Sequence, residues 1–174
     1  MERLILIAVG PDHVGLVEKI AQFVSDRHCN IEDSKMAVFV GEFALILLVA
    51  GTRESLAEIS RSVELLSEQT GLKIWVKQPS ARKPASPSLP YKLSASCMDH
   101  PGVVYKLSTI LSQYGVNIES METETYAAPV SGTPIFRMIA EISVPASVSI
   151  NALRDRFEEM EKEESIDLDL ELLK

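Results

Sequence analysis

The sequence predicts an α+β protein made of two βαββαβ domains in tandem. Residues 12–32 and 99–119 share nine identities in 21 aligned positions, so the chain contains an internal repeat. In each half, stretches with alternating apolar residues are separated by stretches with helical spacing. At 174 residues, with 46% hydrophobic and 24% charged residues, the chain can form two small domains with buried cores.

The first half contains four strands and two helices. Strands are predicted at Leu4–Val9, Ile31–Val40, Glu42–Ala50 and Leu72–Lys77. Helices are predicted where apolar residues share one face, in the stripes Val17, Ile20, Ala21, Val24 and Leu56, Ile59, Val63, Leu66. Gly41 is a natural hairpin turn between the middle strands, and Gly71 ends the second helix.

The second half repeats this order, which is that of the ferredoxin-like split βαβ fold. Strands are predicted at Tyr91–Met98, Asn117–Tyr126 and Ile135–Val144, and at an alternating end with Ile166, Leu168 and Leu170. Helical stripes are formed by Val104, Leu107, Leu111 and by Ile150, Leu153, Phe157, Met160. Extra residues around "YAAPVSGTP" predict a longer hairpin loop. We expect domains at residues 1–78 and 91–174, joined by a Pro/Ser-rich linker at 79–90.

Composition and charge argue against several function classes. A net charge of -8 disfavours direct nucleic-acid binding, and no apolar run approaches the roughly 20 residues of a membrane span. Two cysteines without a Cys-x-x-Cys pattern indicate neither disulfides nor a metal site, so we expect a cytoplasmic protein without cofactor. No histidine has a nucleophile in a recognisable motif, and Cys97 reads as a small buried thiol, so we expect no catalysis.

A polar corner, Asp-His-x-Gly, occurs at 12–15 and again at 99–102, each time between a strand and a helix. The Asp can cap the helix, Gly can allow the turn, and Pro101 suits a first helical turn. Free N–H groups at a helix start can equally bind a small anion, such as the carboxylate of an amino acid. Asn30 and Asn117 follow each Asp by eighteen residues and can either shape a turn or hydrogen-bond an amino acid. The pattern leaves both readings open.

The motifs "DHVGLVEKI…NIED" and "DHPGVVYKL…NIES" resemble ACT domains, small regulatory modules that often bind amino acids between copies. The end of the chain, with "TYAAPVSGTPIF" and "IDLDLELL", resembles the family of glycine cleavage system transcriptional repressors. In one copy Val14 stands where the family often has Pro, as at Pro101, which puts the equivalence of the two sites in question. The ligand-binding residues that the resemblance implies are Asp12, His13, Gly15, Asn30, Asp99, His100, Gly102 and Asn117.

The resemblance implies a dimeric, non-enzymatic regulator of transcription in glycine metabolism. It would bind glycine or serine and act through a regulatory protein partner. The acidic stretch at 158–164 is either a solvated helix face or a surface for a basic partner. The alternatives are an assembly module without a ligand and a small ferredoxin-like hydrolase.

Overall fold

The computed structural model describes residues 1–80 and 87–173 and divides the chain into two compact units, Met1–Ala81 and Arg82–Lys174. We call them the first and the second domain. Of the predicted linker at 79–90, residues 81–86 lie outside the described residues. No helix in the described ranges is both long enough and apolar enough to cross a membrane.

The first domain has the predicted βαββαβ order. Its elements are β1 (Glu2–Pro11), α1 (Leu16–Ser25), β2 (Asn30–Phe39), β3 (Glu42–Gly51), α2 (Arg53–Thr70) and β4 (Lys73–Lys77). The strands form an antiparallel sheet in the order β2-β3-β1-β4, so β1 and β3 are central. Both helices pack on one face of this sheet, where alternate residues such as Leu4, Leu6 and Ala8 are buried.

The second domain repeats the same topology. Its elements are β5 (Ser88–Met98), α3 (Val103–Gln113), β6 (Asn117–Ala127), β7 (Pro134–Pro145), α4 (Ile150–Glu164) and β8 (Asp167–Leu172). Its sheet has the order β6-β7-β5-β8 and is antiparallel throughout. The buried residues form a separate core that includes Leu93, Met138 and Leu153. The α+β fold class predicted from the repeat is therefore confirmed.

Strand β5 begins at Ser88, three residues before the predicted start at Tyr91, and it includes Pro90. Pro90 is tolerated because its nitrogen points away from β7. The carbonyl of Pro90 accepts a hydrogen bond from the amide of Leu173, beyond the end of β8. Since the N and C=O of one strand residue face the same side, the missing amide costs no bond to β7.

The two hairpins differ in length, as the extra residues predicted. Strands β2 and β3 are joined by Val40 and Gly41 alone, whereas residues 128–133 join β6 to β7. Val40 has φ 48° and Gly41 has φ 87°, the positive values that a two-residue type I′ turn requires. Asn and Gly accept this geometry readily, but a β-branched residue does not. Val40 is therefore strained, and its side chain is fully exposed.

We expect Val40→Asn to raise the free energy of unfolding of the first domain by about 1 kcal/mol, because it relieves the left-handed strain of a β-branched residue. Chemical denaturation measures this change. Val130→Asn is the matched control, since Val130 is as exposed in the other hairpin but does not have positive φ. An equal gain in both variants would show that polarity, and not backbone strain, is responsible.

Candidate ligand-binding corners

Both Asp-His-x-Gly corners lie at the same place in their domains, between the first strand and the first helix. The backbone amide of Asp12 donates a 2.8 Å hydrogen bond to the carbonyl of Gly41 in the hairpin turn. The amide of Asp99 donates a 2.9 Å bond to the carbonyl of Pro134 in the equivalent hairpin. Each corner is thus held beside a hairpin by its backbone, which leaves the Asp side chain exposed.

Glycine, not aspartate, occupies the helix cap in both corners. Gly15 and Gly102 are the N-cap residues, with φ of 95° and 98°, and neither α1 nor α3 has a side-chain cap. The prediction that Asp caps the helix is therefore wrong, and Pro101 precedes the cap rather than entering the first turn. The sequence could not show which residue is the cap, because it does not reveal that the glycine is left-handed and that the helix begins only after it. The result is an uncapped helix start next to an exposed carboxylate.

The His13 ring joins the first corner to the end of α2. Its Nδ1 lies 3.2 Å from the carbonyl oxygen of Val14, and its Nε2 lies 3.2 Å from that of Thr70. The side chain of Lys19 also reaches this helix end, where its Nζ is 3.5 Å from the carbonyl of Gln69. Positive charge here complements the negative end of the helix dipole.

The second corner has different neighbours. The Nδ1 of His100 lies 3.3 Å from the carbonyl oxygen of Pro101, as in the first corner. Lys106, the repeat equivalent of Lys19, instead donates from Nζ to Oε1 of Glu164 at 2.5 Å. The hydrogen bond from Lys106 lowers the pKa of Glu164, and the positive charges of Lys106 and His100 add to this effect. The two corners therefore share their backbone but differ in charge.

We expect Lys106→Ala to raise the pKa of Glu164 towards its ordinary value of 4.5, because the main cause of the lowered pKa is removed. In the native protein, the lowered pKa contributes stability above pH 4.5, and this contribution is lost as the pH falls through the lowered value. Side-chain carbon NMR titration measures the shift. Lys162→Ala is the control: Lys162 lies on α4, the helix that carries Glu164, and its removal should leave the titration of Glu164 unchanged. An unchanged midpoint in Lys106→Ala would contradict the ion pair.

The structure separates each asparagine from the corner of its own domain. Asn30 pairs with Ala50 on β3, and Ala50 pairs with Arg3 near the start of β1. Asn30 is therefore level with the start of β1, whereas Asp12 follows the end of that strand. Nine residues of strand separate these two levels, a distance of about 30 Å. Asn117 is likewise level with Pro90, at the opposite end of β5 from Asp99. One small ligand cannot contact a corner and the asparagine of the same domain.

Asn117 instead lies in a cleft of about 410 Å³ between α3 and β6. Its Nδ2 donates to Oε1 of Glu119 at 2.9 Å, and Ser143 donates to the same oxygen at 2.8 Å. Ser108 and Ser112 also line the cleft. Neither serine was predicted as a site residue, although their four-residue spacing on a helix that ends just before Asn117 indicates a polar edge.

The arrangement offers binding groups rather than a recognisable catalytic group. Where His13 and His100 form ring hydrogen bonds, their partners are backbone carbonyls. Within residues 1–80 and 87–173, no three His, Cys, Asp or Glu side chains gather in a way that could hold a metal ion. Cys97 is buried, and burial raises the pKa of its thiol. Exposed carboxylates and uncapped helix starts suit a ligand that carries both charges.

Residues 2–77 match the family model of the ACT domain, which spans nearly the whole first domain. The second domain has the same element order, strand order and corner. The first domain is therefore similar to the ACT domain, and the second domain repeats its fold. Among named proteins it is similar to the glycine cleavage system transcriptional repressor of Escherichia coli, with 29% identity over 126 residues. The match covers 72% of this chain and 66% of that relative's length.

Two solved structures match the whole chain. A crystal structure of an unknown protein from Galdieria sulphuraria is 28% identical, with a TM-score of 0.83, and the match covers 99% of both chains. The crystal structure of a candidate glycine cleavage system transcriptional repressor is 22% identical, with a TM-score of 0.72, and the match covers 99% of this chain and 98% of the other. These likenesses confirm the tandem fold.

Proposed function

We propose that the protein is a non-enzymatic regulator that binds a small amino acid, glycine or serine, at one or both Asp-His-x-Gly corners. The observation that carries the proposal is the repeated pairing of an exposed aspartate with an uncapped helix start. Binding would change its affinity for a regulatory protein and so affect transcription of glycine metabolism. The similarity to a named transcriptional repressor supports this role.

The corner has groups for both ends of a free amino acid. The carboxylate of Asp12 or Asp99 can pair with the ligand's ammonium group. The ligand's carboxylate can accept hydrogen bonds from N–H groups at the start of α1 or α3, where the helix dipole also favours negative charge. The space beside Gly15 and Gly102 is open to a ligand, since a Cβ built on either glycine would meet nothing within 4 Å. Glycine and serine each carry the ammonium and the carboxylate group that the corner would bind.

Asn30 and Asn117 enter this proposal only through assembly. Because each lies about 30 Å from the corner of its own domain, a ligand that contacts a corner and an asparagine needs a second domain to supply one of them. In a symmetric dimer, one molecule supplies the corner and the other supplies the asparagine amide. Amino-acid binding and dimerisation would be linked in that arrangement, since the ligand would contact only the assembled state at both ends.

The protein partner follows from charge. With a net charge of -8, the protein repels a phosphate backbone, so an effect on transcription requires another molecule to contact DNA. The acidic face of α4 offers a surface to a basic partner. Ligand binding regulates such a partner only if the two conformations of the protein differ in affinity for it. We place this activity in the cytoplasm, where amino-acid pools are sensed.

Isothermal titration calorimetry of the full chain with glycine, serine and a panel of other amino acids tests the ligand. We expect saturable binding of a small amino acid, with Asp12→Ala and Asp99→Ala each removing heat from its own corner. Glu122→Ala is a matched control, because Glu122 is an exposed acid on β6, level with Ser94 and not with the corner of its own domain. Absence of binding by the native protein would overturn the proposal and favour an assembly module without a ligand.

A gel-shift assay tests how the protein reaches DNA. The isolated protein should not shift regulatory DNA of glycine-metabolism genes at physiological salt, because its net charge is -8. Strong sequence-specific binding by the protein alone would contradict partner-mediated action, whether or not an amino acid binds.

A further inference from the structure

The sheet of the first domain has one face that its own helices do not cover, which we call the first open face. Residues on it alternate with the buried residues of the strands, so they follow from the sheet register. Across the order β2-β3-β1-β4 the three middle rows are Asp33, Leu48, Ile5, Lys77; then Lys35, Ile46, Ile7, Trp75; then Ala37, Ala44, Val9, Lys73. In these rows the two central strands contribute only apolar residues, whereas Arg3 and Glu42 lie in the rows at the two ends.

The side chains at the middle of this face are large and accessible. Ile46 is 50% exposed and Trp75, the single tryptophan of the protein, is 47% exposed. Both belong to the same row, on either side of Ile7. Contiguous apolar surface of this extent commonly marks an interaction site.

The equivalent face of the second domain, the second open face, is polar in its three middle rows. Its rows, in the order β6-β7-β5-β8, are Ser120, Glu141, Lys92, Glu171; then Glu122, Ile139, Ser94, Asp169; then Glu124, Arg137, Ser96, Asp167. Ile139 occupies the place of Ile46, but its row neighbours are charged or polar instead of apolar. The fold therefore does not require an apolar open face, and its presence in the first domain calls for a separate reason.

The first open face is large enough to hold a dimer together. Three strands of ten residues and one of five, about 4.8 Å apart and rising about 3.3 Å per residue, give roughly 550 Å² in projection. Two such faces bring roughly 1,100 Å² together, and pleated side-chain surfaces exceed their projection. This area reaches the size expected of a specific interface.

The charges on the first open face complement a second copy of the same face. A two-fold axis along the strands, between β3 and β1, reverses each row when two faces meet. Asp33 of one molecule then faces Lys77 of the other, and Lys35 faces Trp75, which suits a cation–π contact. In the centre, Leu48, Ile46 and Ala44 meet Ile5, Ile7 and Val9. The same operation on the second open face sets Glu122 against Asp169 and Glu124 against Asp167, which repel.

We propose that two molecules of this protein dimerise through the first open face, with their sheets packed face to face about this two-fold axis. The interface has an aliphatic centre, a Trp75–Lys35 contact and an Asp33–Lys77 ion pair, each present twice by symmetry. This dimer is separate from the ligand-linked assembly of the proposed function, because an axis along the strands keeps Asp12 of one molecule and Asn30 of the other at opposite ends of the sheets. The proposal does not depend on any ligand.

Sedimentation of the full chain tests the surface. We expect native dimers at micromolar concentration, and we expect Ile46→Glu to raise the dimer dissociation constant by at least about 100-fold, since it buries a charge at the centre. Ile139→Glu, at the same sheet position of the second domain, should change it by less than about 3-fold. A monomeric native protein, or equal effects of the two variants, would overturn the proposal. Circular dichroism confirms that each variant is folded.

Charge reversal tests the two-fold arrangement itself. Asp33→Lys and Lys77→Glu lie on opposite edges of one sheet, and each should weaken the dimer about 10-fold by placing like charges together. The double variant should restore the native dissociation constant to within about 3-fold, because the reversed charges meet again across the axis. Losses that add in the double variant would exclude this interface. Calorimetry with glycine and serine is a separate readout, so failure of the dimer and failure of amino-acid sensing remain distinguishable.

Discussion

Leu6→Ala is expected to lower the free energy of unfolding of the first domain by about 3 kcal/mol. Leu6 lies on the central strand β1 and is fully buried among the residues of the first core. Truncation removes apolar contacts and leaves a cavity between the sheet and the helices, because neighbouring strands on both sides restrict collapse. A loss of this size is a large part of the stability of a domain of this length.

Intrinsic fluorescence measures this loss for one domain at a time. The single tryptophan, Trp75, lies on β4 of the first domain, whereas Tyr91, Tyr105, Tyr114 and Tyr126 all belong to the second. Urea titration followed by tryptophan emission should therefore show a lower midpoint in Leu6→Ala.

Leu93→Ala is the matched variant of the second domain. Leu93 follows Leu6 by the 87-residue offset of the repeat and is equally buried, on central strand β5. We expect the same loss of about 3 kcal/mol, now in the tyrosine signal. A change of less than 1 kcal/mol in either domain would contradict the assignment of that leucine to the core, since buried Leu→Ala changes cost about 2–5 kcal/mol.

Such equivalent positions could be predicted because the repeat and the apolar periodicity both report burial. Leu6 and Leu93 stand at the same place in two similar apolar strands, and their neighbours alternate in the same way. The sequence also shows one difference between the strands. Leu4–Val9 is apolar on both faces, whereas Tyr91–Met98 alternates with Lys and Ser. This difference becomes the contrast between the two open faces.

The position of Asn30 shows where reasoning from spacing reached its limit. Eighteen residues from Asp12 suggested a shared site, yet the two lie at opposite ends of one sheet. The reason is topological: α1 returns the chain to the level where β1 began, and only then does β2 start. The sequence also could not predict that Asp33 of one molecule faces Lys77 of the other in the proposed dimer. That pairing depends on the register of three strand pairs.

Arg27 is a residue whose role the sequence did not indicate. It follows α1 within "SDRHCN", where a positive charge reads as ordinary surface. In the structure its guanidinium lies 3.6 Å from the centroid of the Phe23 ring and donates to the Phe23 carbonyl at 2.9 Å. It also donates from Nε to Oγ of Ser62 on α2 at 3.0 Å. The side chain, only 16% exposed, therefore joins the end of α1 to the second helix.

We expect Arg27→Ala to destabilise the first domain by about 2 kcal/mol, because it removes a stacked cation, a hydrogen bond to an orphan helix carbonyl and a contact between helices. Tryptophan-monitored urea unfolding measures the loss. Arg27→Lys should recover less than half of it, since lysine keeps the charge but lacks the planar fork. Glu58→Gln should have little effect, because Glu58 is well exposed and 3.8 Å from Arg27. If lysine restores full stability, net charge at the end of α1 is what matters, and the geometric account of Arg27 is wrong.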